Sequence, residues 1–185
     1  VGGVWSEMGV SQSFNVTTEG LLTLSLAERK ELFDFQQKAA KLQRAVTAAN
    51  GIAADLRTKL ATAKRAVLET ASANEKLVDE ITGLEKRLNE IGKSLTGDRS
   101  IASREETPPA SIQSRVGSVA AATRMANARP TQTQITEYNI ASQELEVEVK
   151  KLRQLVETDW PKVEKSLDAI GAPWTPGRLP VWNDK

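Results

Sequence analysis

Residues 32–67 read LFDFQQKAAKLQRAVTAANGIAADLRTKLATAKRAV. The apolar and alanine positions Leu32, Phe35, Ala39, Leu42, Val46, Ala49, Ala53, Leu56, Leu60, Ala63 and Val67 are separated by steps that alternate 3 and 4 without a break. Such spacing lines side chains along one stripe of a helix, the seam by which a long helix packs on partner helices. The seam runs through Asn50-Gly51, a pair that by itself reads as a turn. A turn would reset the phase, and the phase is not reset. The sequence therefore predicts one continuous helix, with Gly51 inside it at a cost of about 1 kcal/mol relative to alanine.

Working outward, Ser25-Leu26-Ala27-Glu28 is a capping box that starts this helix, predicted over 26–71. Ser72-Ala73-Asn74-Glu75 is a second box, ending the first helix and opening another. The second seam is Leu77, Ile81, Leu84, Leu88, Ile91 and Leu95, and Gly97 stands where a left-handed C-cap is wanted. Residues 98–107 are polar and read as the longest loop. Pro108-Pro109 restarts the chain into a third helix over 109–126, with Ile112, Val116, Val119 and Thr123 inward. Asn127 to Pro130 is a tight connection, and Thr131-Gln132-Thr133-Gln134 is a third capping box.

The fourth helix, predicted over 132–170, carries Ile135, Tyr138, Ser142, Leu145, Val149, Leu152, Val156, Trp160, Val163, Leu167 and Ile170. Its one irregularity, two successive steps of 4, falls at Trp160-Pro161. Proline inside a helix removes a hydrogen bond and clashes one turn back, so a kink is expected there. The alternative is a break, with Pro161 starting a new helix. Gly171 ends the helix. The tail, Ala172 to Lys185, reads as extended and packed on the bundle through its tryptophans.

Residues 1–24 differ from the rest. Val10, Phe14 and Val16 alternate with Ser11, Ser13 and Asn15, a half-buried strand pattern broken at Gln12. The start, Val1-Gly2-Gly3-Val4-Trp5, has no initiator Met and no secretory leader pattern, so the chain reads as cut from a longer protein. The predicted organisation is a remnant strand of a preceding β-sandwich, or a lead-in, over 1–24; a helical bundle over 25–171; and an extended tail over 172–185. The fold class is all-α: an elongated antiparallel bundle of about four helices, two long and two shorter, with a β-like lead-in and a Trp/Pro-rich tail.

Charge is distributed in blocks of alternating sign. Residues 25–71 carry +4, 72–98 carry −2, 99–130 carry +3 and 131–171 carry −3. Such blocks suit helices lying side by side. The net charge of +1 provides no global drive toward nucleic acid or an acidic membrane surface. Cysteine and histidine are both absent, which excludes disulfides, thiolate zinc sites and a histidine base. No run of 18 apolar residues reads as a membrane span.

Motifs for chemistry are sparse. Gly92-Lys93-Ser94 resembles the end of a phosphate loop, but Arg87 stands where that loop needs its first glycine. A di-iron site in a helical bundle wants Glu-x-x-His pairs, and there is no histidine. Glu144, Glu146 and Glu148 form the densest acidic cluster and read as a solvated face, with Lys151 near Glu148. The basic residues of the first helix lack interleaved aromatics, against a nucleic-acid groove. No nucleophile motif appears, and no cofactor is expected. Trp160, Trp174 and Trp182, with Pro176, form the candidate surface, either anchoring the tail or meeting a partner or glycan.

Three stretches carry a family resemblance: Pro109-Ala110-Ser111-Ile112-Gln113-Ser114-Arg115-Val116, then Arg129-Pro130-Thr131-Gln132-Thr133-Gln134, then Ala172-Pro173-Trp174-Thr175-Pro176-Gly177-Arg178-Leu179-Pro180. Together they resemble the C-terminal helical region of bacterial BNR-repeat, sortilin-like β-propeller proteins, which are often labelled glycosyl hydrolase-like. The resemblance implies a secreted or periplasmic parent, with this chain as a non-catalytic accessory module. Its partners would be other domains of the same parent, or a second copy through self-association. The family's ligand residues lie in the propeller, so none maps onto this chain. Two other readings stay open: an accessory carbohydrate-binding part of a glycoside hydrolase-like protein, and an unrelated coiled-coil adaptor or oligomerisation module.

Overall fold

The computed structural model describes residues 9–17, 23–72, 75–102, 104, 106–125 and 127–180. Helix α1 spans Leu26–Leu68, 43 residues, and passes through Asn50-Gly51 without interruption. At about 1.5 Å per residue it is roughly 65 Å long. The Ser25 box forms as expected: Glu28 N–H donates to the Ser25 hydroxyl at 3.3 Å, and Ser25 N–H donates to the Glu28 carboxylate at 2.8 Å. Of the α1 seam, only Phe35 is half-buried and not fully buried. Its ring meets Tyr138 edge to face at 5.6 Å.

Helix α2 spans Glu75–Thr96 and buries all six expected seam residues. Gly97 caps it in a left-handed conformation, φ 94°, with its N–H on the Lys93 carbonyl. Residues 98–107, expected as loop, contain a one-turn helix, α3 (Arg99–Ala102). The Asp98 side chain starts it by accepting from Ser100 N–H at 2.9 Å. Helix α4 spans Ile112–Met125, three residues later than the proline-based expectation of 109. Its cap is Ser111, whose hydroxyl accepts from Ser114 N–H at 3.2 Å. Ile112, Val116, Val119 and Thr123 are all buried.

The fourth predicted helix is one rod in three parts: α5 (Gln132–Arg153), a π-helical turn over Gln154–Asp159, and α6 (Trp160–Ala169). The Thr131 box opens it. The helix neither merely kinks nor breaks at Pro161. The ladder widens just before it, and Trp160 N–H reaches five residues back to the Leu155 carbonyl. The buried stripe is correspondingly different from the predicted one. Ala141, Leu145, Glu148, Leu152, Leu155, Trp160, Val163 and Leu167 face inward, while Ser142, Val149 and Val156 are half-buried beside it. The step of 5 from Leu155 to Trp160 is taken up by the wider turn.

Cross-helix contacts fix the arrangement. Lys64 pairs with Glu85 at 2.7 Å, and Asn50 bonds Gln113 at 3.0 Å, while Gln36 donates to the Thr123 carbonyl at 2.8 Å. Helices α2 and α4 therefore run one after the other down α1, antiparallel to it. Phe35 meets Tyr138, Lys59 lies over Trp160, and Ser72 bonds the Ile170 carbonyl, so the α5–α6 rod returns parallel to α1. Four helices were expected, and the four long ones are present, but any cross-section holds three rods. Two cross-helix ion pairs join charge blocks of opposite sign, Lys64–Glu85 and Arg115–Glu137, while Arg87–Asp159 and Arg129–Glu31 each join blocks of like net sign. Half-exposed pairs of this kind contribute about 0–1 kcal/mol each. The cohesive term is the continuous apolar core, with Leu60, Ile81, Leu95, Leu155, Val163 and Leu167 wholly buried.

The ends behave differently. Of the expected β-like lead-in, residues 9–17 are described; they form no strand and are exposed throughout. A single strand has neither an edge to pair with nor a face to cover. The remainder of 1–22 lies outside the described residues, as do Ala73-Asn74 of the second capping box. At the other end, α6 closes with a Schellman motif. Gly171 N–H bonds the Asp168 carbonyl, and Ala172 N–H bonds the Leu167 carbonyl.

Candidate interaction surface

The tail is built on a tight turn. Thr175-Pro176-Gly177-Arg178 closes with Arg178 N–H on the Thr175 carbonyl at 3.0 Å, with Gly177 at φ 95°. Proline at the second position and a left-handed glycine at the third make this a type II turn. Ala172, Thr175 and Arg178, every third residue, are buried. The main polar anchor is Arg178, with a side chain 4% exposed. Its guanidinium pairs with Asp168 of α6 and donates to the Pro173 carbonyl at 3.0 Å.

The four candidate residues fare unequally. Trp160 is buried, with the Lys59 ammonium 5.9 Å from its ring centroid, and belongs to the core of α6. Trp174 is 52% exposed, and the Arg178 guanidinium lies 5.0 Å from its centroid. Pro176 is exposed at the turn. Trp182 lies outside the described residues. Arg178 was missed by sequence reasoning because nothing local marks it; its partner Asp168 is ten residues away on another element.

A second feature sits where α2 gives way to α4. The missing length of rod leaves a cleft of about 430 Å³ against α5, lined in part by Lys93, Ile101, Pro109, Glu144, Val147 and Glu148. The acidic trio expected as a solvated face is split here. Glu146 is exposed, and its hydrogen bond from Lys150, at 2.6 Å, holds its carboxyl below the usual range. Glu144 is half-exposed, 3.9 Å from Arg115. Glu148 corrects the expectation: it is 7% exposed, because it lies on the buried stripe with Leu145 and Leu152. Lys151 donates to its Oε1 at 2.9 Å, while its buried Oε2 has no hydrogen-bond partner.

At the opposite wall of the cleft Lys93 is tied to Glu90 at 3.0 Å and lies 3.6 Å from Asp98. The Glu90 hydrogen bond raises the Lys93 ammonium above its usual value. Ser100 holds Asp98 below its own. A third, more apolar groove of about 310 Å³ runs between the parallel rods, with Ala45, Ala48 and Ile52 of α1 facing Val149 and Val156. Among the described residues no group of three or more acidic, histidine or cysteine side chains is arranged to hold a metal ion. No described helix is long and apolar enough to cross a membrane. No family model, no curated protein and no solved structure matches this chain.

Proposed function

We propose that this bundle is a non-catalytic interaction module that docks on other domains of a larger secreted β-propeller protein. One observation carries the reading: Val10, Phe14 and Val16 of the lead-in, whose alternation in the sequence is broken at Gln12, stand 91%, 84% and 83% exposed. Apolar side chains on an extended segment gain most from pairing with a sheet edge, where backbone and side chains are satisfied together. The propeller and the secreted compartment rest on the family resemblance alone.

The core speaks to the choice between docking and self-association. The α1 and α2 seams are consumed inside the chain, so the heptads need no second copy. The test mixes the 185-residue chain with the β-domain encoded immediately upstream. Micromolar association that is lost in a Val10→Ser, Phe14→Ser, Val16→Ser variant is expected. A coding sequence with no β-domain ahead of Val1, or no association, overturns the reading.

The carbohydrate-binding alternative draws on the half-exposed ring of Trp174. It requires glycan affinity that disappears in Trp174→Ala while helicity is retained.

A further inference from the structure

Beside its core seam, α1 carries a second stripe of the same period. Asp34, Lys38, Lys41, Ala45, Ala48, Ile52, Asp55 and Lys59 each stand one residue before a seam position, and their steps alternate 4 and 3 without a break. One residue turns a helix by about 100°, so this stripe flanks the seam and runs parallel to it. The bundle leaves it uncovered. Lys59 is half-buried over Trp160, and every other residue of the stripe is exposed. Asp34, Lys38, Lys41 and Asp55 enter no ion pair among the described residues. The apolar middle of the stripe, Ala45, Ala48 and Ile52, is the α1 wall of the groove against Val149 and Val156. Ile52, at 46% exposure, is the largest apolar side chain on that wall.

We propose that this stripe is the surface by which two copies of the chain pair, with their α1 helices antiparallel across a twofold axis. Charge complementarity selects the occupant. A twofold contact is self-complementary, since a residue and its counterpart exchange roles in the two copies. Set against its own reverse, the stripe places Asp34 opposite Lys59 of the second copy, Lys38 opposite Asp55, Lys41 opposite Ile52, and Ala45 opposite Ala48. Both charged pairings are of opposite sign, and each occurs twice. A parallel twofold pair would instead set Lys38 on Lys38 and Asp55 on Asp55, which is repulsive. Alanine beside the axis lets the two helices approach closely, and the Lys41 stem covers Ile52. The axis passes between Val46 and Thr47. That is midway between the Phe35–Tyr138 and Lys59–Trp160 contacts, level with Val149 on the neighbouring rod. Half-buried Val149 and Val156 therefore extend the apolar contact. Burial of Ile52 and these valines supplies the affinity, and the rim charges set register and direction.

The pairing goes beyond the docking reading and shares no residue with the lead-in, so each stands or falls on its own measurement. The test is sedimentation equilibrium of the full chain at low salt, from micromolar to submillimolar concentration. A reversible monomer–dimer equilibrium is expected. Ile52→Glu, at an exposed position, should leave the chain monomeric throughout while its helical circular dichroism is unchanged. Lys38→Glu should weaken the dimer by about tenfold or more, because it sets like charges together on both sides of the axis. The double variant Lys38→Glu, Asp55→Lys restores opposite signs only in the antiparallel register, and should recover the dimer to within a few-fold of the original. A chain that is monomeric at every concentration, a dimer indifferent to Ile52→Glu, or a Lys38→Glu loss that Asp55→Lys does not repair overturns the proposal.

Discussion

The α1 and α5–α6 rods run parallel over nearly the same length, and each has a residue that disfavours helix. In α1 it is Gly51, and the helix passes through unchanged. In the other it is Pro161, and the turn before it becomes π-helical. The difference is physical. Glycine only makes the helical backbone less favourable, at a cost the flanking seam outweighs. Proline removes a donor and obstructs the ladder, so the hydrogen bonding itself must change. The step of 4 and 4 around Val156 marks that place in the sequence. The widened turn answers it by burying Leu155 instead.

The largest expected effect tests this comparison directly. Leu155→Ala should cost about 3 kcal/mol, as Leu60→Ala should in α1, whereas Val156→Ala should cost about 1 or less. Urea denaturation gives the ranking, and a Val156 cost equal to that of Leu155 would mean the rod is a plain α-helix. Next, Arg178→Ala should cost about 1–2 kcal/mol through loss of its buried hydrogen bonds. Amide exchange should then accelerate over 172–178 while α1 stays protected; unaltered exchange there would leave the tail anchored by something else.

Asp159, at the end of the π turn, offers a pH-dependent check. Burial raises its carboxyl, but the Arg87 hydrogen bond at 2.7 Å, with help from Gln154 and Lys162, brings it below the usual range. A lowered aspartate value means stability that is present above the unfolded value of about 3.9 and is lost as pH falls through the folded value. Asp159→Asn should cost about 1 kcal/mol at pH 7 and progressively less below pH 4. An identical deficit at pH 7 and pH 2.5 would remove the ion pair from the account.

The smallest effect is a gain. A Cβ at Gly51 would meet nothing within 4 Å. Gly51→Ala should therefore raise stability by about 0.5–1 kcal/mol, read as a higher melting temperature. Destabilisation instead would show that α1 bends or opens at Asn50-Gly51.

Legibility followed the range of the forces involved. The α1, α2 and α4 seams, the Ser25 and Thr131 boxes, and the Gly97 and Gly171 caps were readable, because each is decided within a few residues. The Ser111 cap was missed because Pro108-Pro109 offered a competing start. The α5 stripe was misplaced by one residue, because Val149 and Val156 are as apolar as a core requires while Glu148 is not. Of the candidate surface, Trp160 proved to be core and Trp174 half-exposed. Neither Arg178 nor the α2–α4 cleft had any local signal.

By itself, the sequence determined an all-helical rod with its caps, its principal seams and the site of its irregularity, since periodicity and turn chemistry act through neighbours along the chain. Tertiary structure alone decided that three rods share each cross-section, that Leu155 and Glu148 face inward, and that Arg178 clasps Asp168. Those outcomes depend on which surfaces meet across the bundle, and burial there overrides the preference of any single side chain.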